Sequence, residues 1–543
     1  MSVSIAELER AIGKAIPMEV PIILIAYMAL MLLIGLWAAK RVKSSEDWFV
    51  GGREMGPWIT ALAHGSSSVG GGMYIAGPQY GWEAGASSLW AAPGDVFGPL
   101  LNFGIIARRM RRYTEKTKSL TIPDFFGHRY YSQGVKLLSV IIMLVAMVIS
   151  LIVEYLAIGV LLSCITGWSF EMSMLVGCVV VLIYTGAGGY LAVAYTDFVQ
   201  SILMLIGLAV LIPVCISAAG GFSGITQSLY AINPGLPTLW GEDFYLKGAP
   251  LMIAGIALVY FVGYMGQPHL VIKTVAIKDE KSIRLVPLIG GIFGFFLSFG
   301  VYILGMAGRV IFPDAAALPG GSAEYIMPVL ALTKLSPIMA GFLLACAFSA
   351  IMSTASALLL VIGSGAGSDL YHGFINPKAS EKQVMRVTQV STYVLGLISA
   401  VLCFAPIFQV GIYQVTWIAW SVLSPAFIPL IIGGLYWKRG TKEGAYASLI
   451  VGSVTGFAWY YLLQESTNIH TFFAAIVLAT VAYVVVSLLT KEPPKEIEDM
   501  VDYAKRFEDA EATNTAVKAG VQISQENFSK IIRASKEAAP AAC

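Results

Sequence analysis

The strongest constraint on this chain is the recurrence of apolar runs of about 20 residues, the length a helix needs to cross a bilayer. Such runs fall at 18–39, 57–80, 87–107, 137–162, 169–188, 195–219, 250–271, 285–311, 336–367, 387–405, 413–436, 443–464 and 470–489. They predict an all-α, polytopic membrane protein of about 13 transmembrane helices, because only helices and closed barrels satisfy their backbone in lipid. Composition agrees. Of 543 residues, 57% are hydrophobic and 13% charged, against about 25% charged in a soluble domain. Polar residues precede the first run and no A-x-A-like site follows it, so it reads as a true span and not a signal peptide.

Loop charges give an orientation. Lys and Arg gather in alternate loops: Lys40, Arg41, Lys43 and Arg53; Arg108, Arg109, Arg111, Arg112, Lys116 and Lys118; Lys273, Lys278, Lys281 and Arg284; Lys378, Lys382 and Arg386; Lys438, Arg439 and Lys442. The intervening loops hold little beyond Lys247, Arg309 and Lys334. Positive-inside bias then places the N-terminus outside and the C-terminus in the cytoplasm of an inner membrane. The expected division is a transmembrane transporter domain over 1–490 and a charged cytoplasmic tail over 491–543, which reads as a short surface helix or a disordered segment.

Several functions are excluded. A net charge of +2 offers no broad basic face to nucleic acid. The six cysteines lack C-x-x-C spacing, and no H-E-x-x-H occurs. No organic cofactor is expected. The cytoplasmic loops hold no convergent His/Asp or Ser/His/Asp set, so the chain does not read as an enzyme. A channel needs ring-like filter segments, which are absent. A sensor would need a kinase after the last span, where only about 50 residues follow.

Two spans are interrupted. The second holds His64-Gly-Ser-Ser-Ser-Val-Gly-Gly-Gly-Met73, with Gly77-Pro78 beyond; the seventh holds Gly263-Tyr-Met-Gly-Gln-Pro-His269. They open two five-span halves, spans 2–6 and 7–11, with core repeats near 57–219 and 250–436. Breaks at matching positions point to an inverted five-plus-five repeat, with solute and ion binding near midplane. Close packing through small residues accounts for such runs as well. In span 9, Ser353 and Thr354 supply uncharged oxygens that carbonyls freed in span 2 would face, a donor set suited to a hard ion such as sodium. The alternative is that both hydroxyls bond back to carbonyls one turn earlier. Acidic residues at or near membrane depth are Glu83, Asp95, Glu154 and Asp197. Each is a candidate for the cation path or for a structural pair; Asp197 also reads as an interfacial residue at the start of span 6.

Five segments carry a resemblance: Gly51-Gly52-Arg53 to Trp58; Leu120 to Phe126; Tyr184 to Gln200; Gly266-Gln267-Pro268-His269; and Met352-Ser353-Thr354. In this order the chain resembles the sodium:solute symporter family, most closely its sodium/proline branch, over roughly 18–465. The resemblance implies sodium as coupling ion and a small organic solute as cargo. It implies ion ligands at the carbonyls of Ser66, Val69 and Ala350 and the hydroxyls of Ser353 and Thr354. Asp197 and Ser68 fall on the cation pathway, and Tyr260, Tyr264, Gln267 and Pro268 frame the solute. Two positions depart. Ser68 stands where proline-type members have aspartate, and Tyr260 where they have tryptophan. Proline, another amino acid, pantothenate and a short-chain monocarboxylate all stay open as the solute.

Overall fold

With no water in the hydrocarbon to satisfy a free N–H or C=O, a membrane chain of this composition is driven into helices. The computed structural model describes residues 9, 12, 13, 15–42, 44–241, 246–408 and 410–505. Among them the elements are helical, apart from one isolated bridge between Met55 and Ile277.

In chain order, α1 is Glu19–Ala39. The second predicted span is cut into α2 (Pro57–Ser68), a single turn at Gly71–Tyr74 and α3 (Ala76–Ala84). α4 (Ala92–Leu101) runs through a π-helical stretch, Asn102–Ala107, into α5 (Arg108–Thr117). α6 is Gln133–Thr166, and α7 is Phe170–Ala218. The seventh predicted span is α8 (Pro250–Phe261), a 3-10 turn at Gly263–Gly266 and α9 (Pro268–Ala276). Then follow α10 (Glu280–Ile311), α11 (Pro337–Ser364), α12 (Glu381–Leu402), α13 (Ile412–Tyr436), α14 (Lys442–Leu462), α15 (Thr471–Leu489) and α16 (Lys495–Lys505).

Among the described residues, helix length and hydropathy give eight candidate crossings, not thirteen. The difference has a physical cause. Spans two, three and seven are divided into pieces too short to cross alone. Span five ends as a short apolar helix, Phe170–Ile183, and α14 is diluted by glycine, serine and tyrosine. Spans five and six meet without a loop: α7 bends at Gly189, whose φ of 55° and ψ of −152° suit only glycine.

Burial sorts the helices. The most apolar window of α11 is wholly buried, and that of α13 nearly so; a helix apolar all round belongs at the centre. α11 packs on α7, α6 and α1, and α10 on α4 and α3. Outer helices instead present apolar rows, Ile22, Ile25 and Leu33 on α1 and Val477, Val481 and Val485 on α15, the faces that meet lipid.

The basic loops converge at one end. Arg53 donates to the carbonyls of Thr114 and Ser119. Arg111 Nε donates to Ile277 O at 2.8 Å, Arg109 to Leu435 O at 2.9 Å, and Arg112 pairs with Glu280 at 2.6 Å. This run therefore ties loops together besides carrying charge. α16 packs on α5, and Lys438 pairs with Asp502 at 2.6 Å. The rest of the predicted tail, 506–543, lies outside the described residues.

Candidate functional site

The break in the second span is local chemistry made visible. Three serines lower helix preference, and each glycine costs about 1 kcal/mol against alanine in a helix. α2 ends at Ser68. Val69, fully buried, leaves helical geometry at φ −106° and ψ 63°, and Gly70 is extended. The last carbonyls of α2 are thereby released from the helical ladder.

α11 crosses this point. Ser353 Oγ lies 2.9 Å from Ser66 O and 2.8 Å from Ala350 O, and Thr354 Oγ1 lies 3.3 Å from Ser66 O. Both sequence readings of the hydroxyls are realised together: Ser353 bonds back along its own helix and also reaches the freed carbonyl. Four of the five expected ion ligands are thus gathered within hydrogen-bond distance, and Val69 sits at the break beside them. The donors are all neutral oxygen, without nitrogen or sulfur, a set that fits a hard monovalent cation.

Below the cage lies a buried ion pair. Lys273 Nζ donates to Asp197 Oδ2 at 3.0 Å, Ser67 Oγ at 2.7 Å and Ala63 O at 2.7 Å; Ser67 Oγ in turn donates to Asp197 at 2.8 Å. Asp197 Oδ1 is buried without a hydrogen-bond partner among the described residues. One sequence expectation changes here. Lys273, counted as a loop charge, is inside α9 and 2% exposed, and Asp197 is fully buried against it. A lysine amid Val271-Ile272 and Val275-Ala276 was the available signal. Ser68 Oγ bonds back to Gly65 O at 2.7 Å while the residue borders the cavity described next.

A cavity of about 30 Å³ opens beside the cage, bordered by Ser68, Gly70, Glu154, Tyr260, Thr354 and Trp420. That volume holds a water or two; an organic solute requires the walls to part. Tyr260 meets Trp420 at 5.6 Å between ring centroids, and Tyr264 meets it at 5.4 Å. Gln267 Nε2 donates to Ser424 Oγ at 2.8 Å, which donates to Gly263 O, so α13 holds the second break open. Tyr260 borders this cavity. Pro268 borders a separate small one with Ile272 and Leu360. Trp420 and Ser424 were not singled out from sequence, because nothing local marks which face of α13 meets the break.

Of the remaining acids, Asp95 bonds to Ser298 on α10, and Glu83 accepts from Gln79 at 3.0 Å and Tyr413 at 3.1 Å. Glu83 also borders a wide vestibule of about 740 Å³ with Trp82, Arg309 and Gln464. Arg309 lies at the far end of α10 from Glu280, so the vestibule opens opposite the basic loops.

The comparisons follow this geometry. The sodium:solute symporter family matches residues 48–452. The osmoregulated proline transporter OpuE of Bacillus subtilis is 32% identical over 481 residues, covering 88% of this chain and 96% of that one. The sodium/proline symporter of Escherichia coli is 30% identical over 492 residues, covering 90% and 95%. A substrate-bound, outward-open structure of a sodium-coupled sialic acid symporter superposes with a TM-score of 0.74 at 19% identity, covering 88% of this chain and 99% of that one. A nucleobase-cation-symport-1 family transporter in a closed conformation gives 0.53 at 13% identity, covering 84% and 97%. These last two show a shared fold. On the family match and the two proline-transporting relatives, this chain belongs to the sodium:solute symporter family and is a multi-pass, sodium-coupled secondary transporter of a small organic solute, not an enzyme.

Proposed function

We propose that this chain imports a small carboxylate-bearing solute, zwitterionic or anionic, together with sodium across a bacterial inner membrane. The observation that carries the reading is the meeting of the Ser353 and Thr354 hydroxyls with the Ser66 carbonyl at the helix break. Ser66, Val69, Ala350, Ser353 and Thr354 hold the ion. Asp197, with Ser68, serves its passage to the cytoplasm. Tyr260, Tyr264, Gln267 and Pro268 frame the solute, whose carboxylate meets the N–H groups exposed at the broken helices.

Sodium binds first from outside and favours the outward-open arrangement. Solute then binds, and the linkage between the two is reciprocal. The loaded protein closes outside and opens inside, each inward charge contributing about 2.3 kcal/mol per 100 mV of potential. The vestibule opposite the basic loops is then the entrance, with the N-terminus outside and the C-terminus cytoplasmic. Thirteen crossings in this scheme include the broken helices, arranged as two inverted five-helix repeats within a transporter domain ending near 490.

Proline is favoured by the two relatives, both proline transporters. Pantothenate or a short-chain monocarboxylate is the second reading, favoured by Ser68 and Tyr260, where proline-type members carry aspartate and tryptophan. Uptake of a radiolabelled panel of proline, pantothenate, short monocarboxylates and neutral sugars tests this. Sodium-dependent accumulation of at least one supports it; accumulation of neutral sugars alone contradicts it.

A further inference from the structure

The cage of neutral oxygens offers a cation no formal negative charge. Asp197 is already balanced by Lys273 at 3.0 Å. One other carboxylate borders the adjoining cavity: Glu154, from the middle of α6, only 4% exposed. Its contacts are to backbone. Oε2 accepts from Gly71 N at 2.7 Å. No lysine, arginine or histidine among the described residues forms an ion pair with it. The other titratable groups at the cavity are His269 and Tyr260, neither of them a fixed cation.

Gly70 shows how near the carboxylate and the cage are. A Cβ at Gly70 would collide with Glu154 Oε1 and would lie 2.6 Å from Thr354 Oγ1 and 2.7 Å from Glu154 Oε2. The carboxylate and the Thr354 hydroxyl therefore converge on the space that a side chain at Gly70 would fill. A buried carboxylate without a counter-charge is costly at membrane depth. A cation site without a negative charge is weak. Each lacks what the other provides.

We propose that Glu154 is the counter-charge of the coupling sodium ion, held against the break by the Gly71 N–H group and lying beside Thr354 of the cage over the Cβ face of Gly70. This rests on the sodium cage proposed above. Glu154 makes the site tight; the five cage oxygens give it shape. Because Ser68 borders the same cavity from α2, a carboxylate placed there adjoins the same space and can take over the role.

The test uses the purified full-length protein in detergent, with sodium chloride exchanged for choline chloride at constant ionic strength. The readout is the sodium-dependent rise in thermal unfolding temperature, since a ligand bound only by the folded state stabilises it by mass action. Glu154→Gln keeps an oxygen for the Gly71 N–H group and removes the charge. It is expected to raise half-saturating sodium at least tenfold, Glu154→Asp less, and Ser68→Asp added to Glu154→Gln is expected to recover at least half of the logarithmic loss. A purely capping role predicts no change in the glutamine variant and no rescue. Half-saturating sodium within twofold of wild type in folded Glu154→Gln overturns the proposal. If that variant does not fold, the double variant decides: a sodium response near wild type supports the proposal, and a folded double variant without one overturns it. Ser353→Ala/Thr354→Ala is run alongside. A shift there with none in Glu154→Gln refutes Glu154 alone; no shift in either refutes the cage as well.

Discussion

Removing the Ser353 hydroxyl perturbs the proposed ion site with little else at stake. The oxygen stands 2.9 Å from Ser66 O and 2.8 Å from Ala350 O, at the crossing of a broken helix and an intact one. It is one of five oxygens assigned to sodium. A hydrogen-bond-class contact to a charged group contributes about 1.5–3 kcal/mol, and 1.4 kcal/mol is a factor of ten. Ser353→Ala should therefore raise half-saturating sodium roughly 10–100-fold. The folding cost is small by comparison, about 1 kcal/mol for a neutral hydroxyl bond. Thr354→Ala acts in the same direction, while Thr354→Ser keeps the oxygen and should stay within a few-fold of wild type. The assay is initial solute uptake against external sodium, at fixed ionic strength and membrane potential, with the amount of folded protein measured in parallel. A Ser353→Ala/Thr354→Ala protein that folds and keeps wild-type sodium dependence refutes the cage.

Other outcomes follow from the same geometry. Lys273→Met strands the Asp197 carboxylate in the interior and should destabilise by about 3–5 kcal/mol, whereas Asp197→Asn/Lys273→Met should regain most of the lost thermal stability in detergent. Asp197→Asn alone should slow turnover more than it weakens initial sodium binding, which pre-steady-state charge movement separates. Gly70→Ala forces a methyl group between Glu154 and Thr354; overpacking of about 1–3 kcal/mol should cut uptake at least tenfold while protein still reaches the membrane. Membrane-impermeant thiol labelling should reach Asp314→Cys in intact cells and Lys378→Cys only in inverted vesicles, both positions being exposed; the reverse pattern contradicts the proposed orientation.

Legibility in the sequence divides along a physical line. Local signals were readable. A glycine and serine run in an apolar span announces a broken helix, and the break at Val69-Gly70 lies inside it. Gly263 to His269 announced the second. The pairing of Ser353 with the first break came from chemistry and family likeness, since nothing local brings residues 287 positions apart together. Long-range charge pairing was not readable. Lys273 counts as a loop charge in any hydropathy window, and only packing shows it 76 positions from its partner Asp197. Glu154 was one of four acids in the sequence reading, where Asp197 stood ahead of it for the cation path; its nearness to Gly70 depends on how α6 crosses the break. The crossing count differs from the eight long apolar helices among the described residues for another reason. A window of apolar residues does not register that glycine and proline have divided the helix within it.

The central claim, coupling of solute entry to sodium, is tested most directly in proteoliposomes with the sodium gradient, proton gradient and membrane potential imposed separately. Purified protein is reconstituted and radiolabelled proline, pantothenate and a short monocarboxylate are offered in turn. The account predicts accumulation of one of them above its external concentration when sodium is directed inward, increased by an inside-negative potential and abolished when choline replaces sodium. Accumulation driven equally well by a proton gradient without sodium, or mere equilibration unaffected by the sodium gradient, would contradict it.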